Sequence, residues 1–319
     1  MLSVPRLRIL RELHLRGTLA QVAEALSYTP SAISQQLSLL EREAGVPLLE
    51  RVGRGVRLTD AALTLVGHTD AILARLEQAE ADLAATQPEV HGTLRVASFQ
   101  SVVVEIAPSV LTLLDAEYPR LQIEIIQREV DDAYSGLLSH EFDVILGEEF
   151  PGLPEPVRPG ADRADLVDDP MYLVVPAEGP WACTPETVAE LADVPWALDP
   201  PDTSAGDWAQ RMCHAAGFEP RIRFEGPDPI LHAHLVRTGH ALAFVPALIA
   251  GRDPRGIELF ALPGNPRRTL YTAARTGRAH HPAIRGVPRR HGTRRRRAAT
   301  GRTRPAAALS GNRRVACPV

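Results

Sequence analysis

Lysine is absent from the chain: all 35 Lys and Arg positions are arginine, a bias that marks a G+C-rich gene. Cysteine is scarce. Cys183, Cys213 and Cys317 are too few and too scattered for a disulfide framework or a zinc site, so no metal is expected. Of the two readings of Cys183 and Cys213, buried thiols are favoured over a thiol sensor pair, since neither sits in a Cys-x-x-Cys context. No run of about 18 apolar residues occurs, which argues against a membrane-spanning helix and a membrane partner. No apolar stretch of signal-peptide type follows Arg6, Arg8 and Arg11, so the cytoplasm is the expected compartment. A glycine-rich phosphate loop is lacking, and no Ser-His-Asp order can be defended. His232 and His234 lie two apart on a helical stretch and so point to different faces. No catalytic residue is therefore assigned, and an enzyme is not expected.

What is present is an ordinary globular composition, 45% hydrophobic and 23% charged over 319 residues. At roughly 100–200 residues per domain this length suggests two or three domains. The formal net charge of −4 hides an uneven distribution. Residues 1–58 carry +3, 59–92 carry −5, 93–274 carry −15, and 275–319 carry +13. A basic head on an acidic body suggests a nucleic-acid-binding module joined to something that does not touch nucleic acid.

The head reads as three short helices. Pro5 suits the first turn of a helix over 5–16 that Gly17 ends. Thr18 caps a second, with Gln21 in capping-box position. Thr29 caps a third, with Pro30 at its first position and Ile33, Leu37 and Leu40 on one face. The tight turn at Ser27-Tyr28 gives a helix-turn-helix pattern over about 18–37. Small polar residues on the outer face of the third helix would let it sink into a major groove. Strand-like runs at 47–52 and 56–58, turned by Gly53-Arg54-Gly55, form a wing whose Arg51 and Arg54 suit phosphate contacts. The alternatives, a plain three-helix bundle and a solvated Arg-rich hairpin, stay open at this level.

Thr59 caps a long helix to about Gln87. Leu65, Ile72 and Ala79 alternate with Thr69, Leu76 and Leu83 at heptad spacing, which asks for a partner helix. Packing of the same stripe on its own chain is the alternative. After a hinge at 89–92, strands at 93–97, 121–127 and 142–147 alternate with helices at 106–116 and 133–139. A second such unit runs from a strand at 171–176 through a helix at 185–192 opened by Thr184, to a buried strand at 241–246. Two such units predict parallel sheets in two lobes with a cleft between them.

These residues resemble the LysR-type transcriptional regulators over 5–285. The match is densest in Ala23-Glu24-Ala25-Leu26, Ser31-Ala32-Ile33-Ser34-Gln35-Gln36-Leu37, Gly45-Val46-Pro47-Leu48 and Leu58-Thr59. Gly92-Thr93-Leu94-Arg95-Val96 resembles the start of the family's effector domain, which is similar to a type 2 periplasmic binding protein. Gln35 stands where the family commonly has Arg, Leu49 where it has Phe, and Ala62 where it has Gly. The resemblance implies an α+β multidomain protein. Its parts would be a winged helix-turn-helix head (1–58), a dimerisation linker helix (59–88) and a two-lobed α/β effector domain (92–285).

The resemblance also implies a transcriptional regulator that binds double-stranded DNA at an interrupted inverted repeat. Its dimer forms through the linker helix and assembles to a tetramer. An unidentified small metabolite is its effector, no other cofactor is implied, and RNA polymerase is a further partner. Ser31, Ala32, Ser34, Gln35 and Gln36 are the candidate DNA-reading residues, with Arg51 and Arg54 on phosphates. Loops after strands are where open α/β sheets bind ligands. They offer Ser98, Gln100, Ser101, Gln127 and Thr203 for the effector, ordinary helix capping being the alternative for each serine or threonine. The rival class is a solute-binding or enzymatic α/β protein with an incidental helical head. Residues 286–319 hold ten Arg and no acid. They read either as a disordered basic tail or, the favoured reading, as the product of a shifted frame.

Overall fold

The computed structural model describes residues 1–285, apart from 54, 88 and 157; the expectations for Arg54 and for 286–319 fall outside the described residues. Helix α1 (Val4–Arg16) has Pro5 in its first turn and ends on Gly17 in the left-handed region, φ 81°. In α2 (Leu19–Ala25) the Thr18 hydroxyl accepts the Gln21 amide at 3.3 Å. In α3 (Pro30–Ala44) Thr29 accepts the Ala32 amide at 3.2 Å, and Gly45 closes the helix at φ 72°. Leu10, Val22, Ile33, Leu37 and Leu40 interlock as the core of the head. Strands β1 (Leu49–Val52) and β2 (Gly55–Leu58) form the antiparallel wing, in register from Leu49↔Leu58 to Val52↔Gly55. Glu41 fixes the wing to α3 by accepting the amides of Leu48 and Leu49 at 2.8 and 3.0 Å.

Helix α4 (Asp60–Ala85) starts where Thr59 accepts the Ala62 amide and donates to the Pro47 carbonyl. The expected seam divides between two faces. Thr69 is fully buried against its own chain and its hydroxyl returns to the Leu65 carbonyl, while Leu65 packs on the core of the head. Ile72, Leu76, Ala79 and Leu83 stay exposed as one stripe at four- and three-residue steps.

The remainder forms two lobes. The first holds β3 (His91–Ser98), α5 (Gln100–Glu105), α6 (Ala107–Glu117), β4 (Arg120–Gln127), α7 (Val130–Leu138) and β5 (Val144–Glu149). Strand β6 (Ala161–Pro176) then crosses to the second lobe, which holds β7 (Pro195–Leu198), α8 (Ser204–Ala215), β8 (Arg221–Glu225), α9 (Pro229–Arg237), β9 (Ala243–Pro246), α10 (Ala247–Ala250) and β10 (Ile257–Ala261). Strand β11 (Arg267–Arg275) returns to the first lobe, and α11 (Pro282–Arg285) follows. The main sheet runs β10-β6-β11-β5-β3-β4, with β9 also on β6. The early half of β6 pairs with β11, and its late half with β9 and β10, so one strand belongs to both lobes.

Four expectations are corrected here. The sheet is mixed: β3 is parallel to β4 and β5, but β11 is antiparallel to β5 and β6. The outer half of β6, β10 and β11 were not anticipated, because they are strands through pairing with distant segments. The helix expected over 185–192 is one 3-10 turn, Val188–Leu191, opened by Thr187 and Glu190 and not by Thr184. Helix α5 already begins at Gln100, so the polar loop after β3 is shorter than expected.

Helix α4 is docked on the first lobe. The buried Arg275 donates Nε to Glu77 Oε1 at 2.6 Å and Nη1 to the carbonyls of Leu137 and Phe142. His140 lies 3.2 Å from the same carboxylate. A Cβ on Gly277 would meet the Ala74 carbonyl oxygen at 2.1 Å, which shows how closely α4 approaches the turn after β11. Burial pushes the Glu77 carboxyl up, but the His140 hydrogen bond and the Arg275 charge outweigh it and hold the pKa below the ordinary value. The stability this group contributes is complete above the ordinary carboxylate pKa and is lost as pH falls through the lowered one. Arg275→Met leaves the buried Glu77 with His140 alone and takes a donor from the carbonyls of Leu137 and Phe142. It should cost about 3–5 kcal/mol, read as a lower urea midpoint for the two lobes; a midpoint unchanged from the parent would refute this role.

Candidate functional site

Helix α3 presents Ser31, Ser34 and Gln35 to solvent, with Ala32 and Gln36 half-buried at the edges of that face. Ser31 is not idle, since its hydroxyl pairs with the Thr29 hydroxyl at 3.0 Å. The Gln36 carbonyl oxygen accepts Arg6 Nε at 3.0 Å, which fixes the side chain and leaves its amide nitrogen as the outward donor. On the wing, Arg51 is exposed and has no ion pair among the described residues, whereas Arg57 is held by Glu50 at 2.7 Å. Tyr28, 56% exposed just before α3, belongs to the same surface and was not among the expected residues.

A second concave site lies between the lobes. Its first-lobe wall is built by Phe99, Gln100 and Ser101 at the start of α5, Glu129 and Asp131 at the start of α7, Glu148 on β5 and Arg268 on β11. The second lobe contributes Leu198, Asp199, Asp202, Thr203, Trp208 and Phe244. Of the expected effector residues, the fold brings Gln100, Ser101 and Thr203 into this cleft. Ser98 and Gln127 do not line it, which corrects two expectations. Ser98, at the end of β3, is 1% exposed and turned into the domain, while Gln127, paired with it across the sheet, lies on the outer surface.

The polar groups of the cleft are largely engaged with one another. Arg268, 2% exposed, donates to Asp169 at 2.8 and 3.0 Å, to Glu148 at 2.5 Å and to Ser101 Oγ at 2.9 Å. Thr203 caps α8, accepting the Gly206 amide at 3.0 Å and donating to the Pro200 carbonyl at 2.7 Å. Gln100 Oε1 is different: it is buried and has no donor among the described residues. Burial, followed by repulsion from Glu148 and Glu129, raises the Asp199 carboxyl to about 7. Burial likewise raises Glu129, Glu148 and Glu155. His232, 1% exposed and 3.7 Å from Asp199, is pushed down by burial and so is neutral near pH 7. Among the described residues no group of three His, Cys, Asp or Glu is placed to hold a metal ion. No helix of the described residues is long and apolar enough to cross a membrane.

The sequence reading missed Arg268 and Glu148 as cleft residues. Both sit on strands whose pairing is non-local, whereas Gln127 and Thr203 lie on the segments that also carry Glu129 and Asp199.

Two family models match the chain. The helix-turn-helix model of bacterial regulatory proteins of the lysR family matches residues 5–63, and the LysR substrate binding domain matches residues 87–287. The chain is similar to the DNA-binding transcriptional dual regulator OxyR of Escherichia coli (strain K12), 25% identical over 270 residues that cover 81% of this chain and 84% of that protein. It is 26% identical to the HTH-type transcriptional regulator CbbR of Xanthobacter flavus over 249 residues, 77% of this chain and 73% of that one. Among solved structures, full-length OxyR from Pseudomonas aeruginosa superposes with a TM-score of 0.64 at 21% identity, covering 90% of this chain and 93% of that chain. Full-length CbnR complexed with its target DNA superposes with a TM-score of 0.51 at 22% identity, covering 89% and 96%.

The hydrogen bonds of Ser98 and Ser101 separate their roles. Ser101→Ala removes an acceptor from the buried Arg268 and should destabilise the effector domain by about 1–3 kcal/mol. Ser98→Ala loses only a 3.5 Å contact to the Phe99 carbonyl and should be near neutral. Urea unfolding of the two variants checks this, and equal losses would refute the assignment.

Proposed function

Because the chain belongs to the LysR family of transcriptional regulators, we propose that α3 and the wing read double-stranded DNA and that a small molecule in the interlobe cleft controls the outcome. The observation that carries the DNA reading is the outward face of α3, Ser31, Ser34 and Gln35, beside the exposed Arg51, which has no ion pair among the described residues. Hydroxyls and amides of this kind read base edges, and an arginine on a wing neutralises phosphate. Gln36 and Ala32 complete the reading surface, and Arg54, outside the described residues, is the second phosphate contact. Residues 1–58 act as the DNA-binding domain, 59–88 as the linker and 92–285 as the effector domain. Both matched families are regulators, not enzymes, so the solute-binding or enzymatic rival is set aside.

The exposed stripe Ile72, Leu76, Ala79 and Leu83 supports self-association through α4. A two-fold dimer places two heads on two half-sites, hence an interrupted inverted repeat as the target, and pairs of dimers make a tetramer. The cytoplasm is the compartment of such a regulator, and RNA polymerase its further partner. Gln100, Ser101 and Thr203 contribute to the effector site together with Glu129 and Asp199.

The OxyR relatives include proteins named hydrogen peroxide-inducible genes activators. We do not extend peroxide sensing to this chain, because Cys183 and Cys213 are both buried and burial, reinforced by Glu219, raises the Cys213 thiol to about 12. Cys317 lies outside the described residues.

Arg51→Ala should weaken binding to all DNA sequences and lower the salt slope by about one unit. Ser34→Ala should instead change which bases are preferred. Gel retardation with DNA upstream of the chain's own gene measures both, and no retardation at low salt by folded protein would overturn the reading.

A further inference from the structure

We propose that the ligand of the interlobe cleft is a small organic cation, a protonated amine, amidine or guanidinium carried on an apolar body. This rests on the reading of the cleft as the effector site, and it names the chemistry that the site accepts.

The charge around the cleft is one-sided. Six carboxylates line it, those of Glu129, Asp131, Glu148, Glu155, Asp199 and Asp202, against one guanidinium, that of Arg268. That guanidinium is already committed to Glu148, the buried Asp169 and Ser101. Arg158 serves Asp131 and approaches Glu155. Among the described residues Glu129, Asp199 and Asp202 then have no arginine partner, and the His232 beside Asp199 is neutral near pH 7. An anion would meet uncompensated like charge there, and a cation would relieve it.

Two further features fit an organic cation better than a bare ion. Gln100 Oε1 is a buried acceptor without a donor among the described residues, which an N–H of the ligand would satisfy. The lining also holds Phe150, Trp208 and Phe244, their rings in contact at centroid distances of 5.7 and 5.5 Å. Aromatic faces attract cations and also cover an apolar body.

The proton balance gives a signature. Asp199 faces Glu148 from β5, Glu129 from the start of α7, Arg268 from β11 and His232 from α9. With its pKa at about 7, Asp199 is half protonated at neutral pH in the empty cleft. A bound cation favours the ionised form, so binding releases a proton and tightens as pH rises.

The test uses the full chain with three probes of one shape: benzamidine, benzyl alcohol and benzoate, followed by titration calorimetry. Benzamidine should bind at least about tenfold more tightly than benzyl alcohol at pH 8, with benzoate weakest. Its affinity should fall about tenfold from pH 8 to pH 6, the change in ionised fraction of a group titrating near neutrality. Asp199→Asn should weaken benzamidine about tenfold and flatten that pH profile, and Glu129→Gln serves if the first variant does not fold. Benzoate binding more tightly than benzamidine, with an affinity that Asp199→Asn alters, would overturn the cation and keep the cleft. Binding of no probe, or binding that neither variant moves, would overturn the reading of the cleft and this proposal with it.

Discussion

The attachment of α4 to the effector domain depends on one buried ion pair, Arg275 with Glu77. Taking both charges out of water is costly, and the pair is tolerable only because every side of it is answered. The guanidinium also reaches two backbone carbonyls, and the carboxylate also meets His140. Around it the packing leaves no slack, since even a methyl group at Gly277 would collide with α4. The linker is therefore a docked helix whose inward face is set by Glu77 and Ala81, and this forces Ile72, Leu76 and Leu83 outward.

The same chemistry recurs at Arg268 and Arg11. Arg268 joins β11 to β6, β5 and α5, and Arg11 joins α1 to Asp70 of α4 and to the Leu138 carbonyl of α7. All three are less than 10% exposed. A planar guanidinium can answer several acceptors at fixed angles, which an ammonium cannot do. In a chain without lysine, arginine carries every such junction.

The head was legible in the sequence because its signals are local. Thr18, Thr29 and Thr59 cap the helices they precede, and Gly17 and Gly45 end the helices they follow. The lobes were legible as alternating strands and helices, but their closure was not. The outer half of β6 is rich in acids and has no apolar run, and it is a strand only because β11, about a hundred residues later, pairs with it. Arg268 was hidden with that strand. Ser98 differs for another reason: a polar residue at a strand end looks like a ligand contact, yet here it is buried within the domain. Gln127 was two residues short of Glu129, the residue that turns into the cleft.

Helix α7 has nine residues, about 13 Å of rod. Glu129 and Asp131 at its amino end line the cleft, while the Leu137 and Leu138 carbonyls at its carboxyl end hold Arg275 and Arg11. A helix this short does not bend appreciably, so a displacement of about 1 Å at one end tilts the whole rod by about 4°. With the carboxyl end as pivot, that tilt turns the acceptors of both arginines through the same angle, so the fasteners of linker and head to the lobe respond as one mechanical unit.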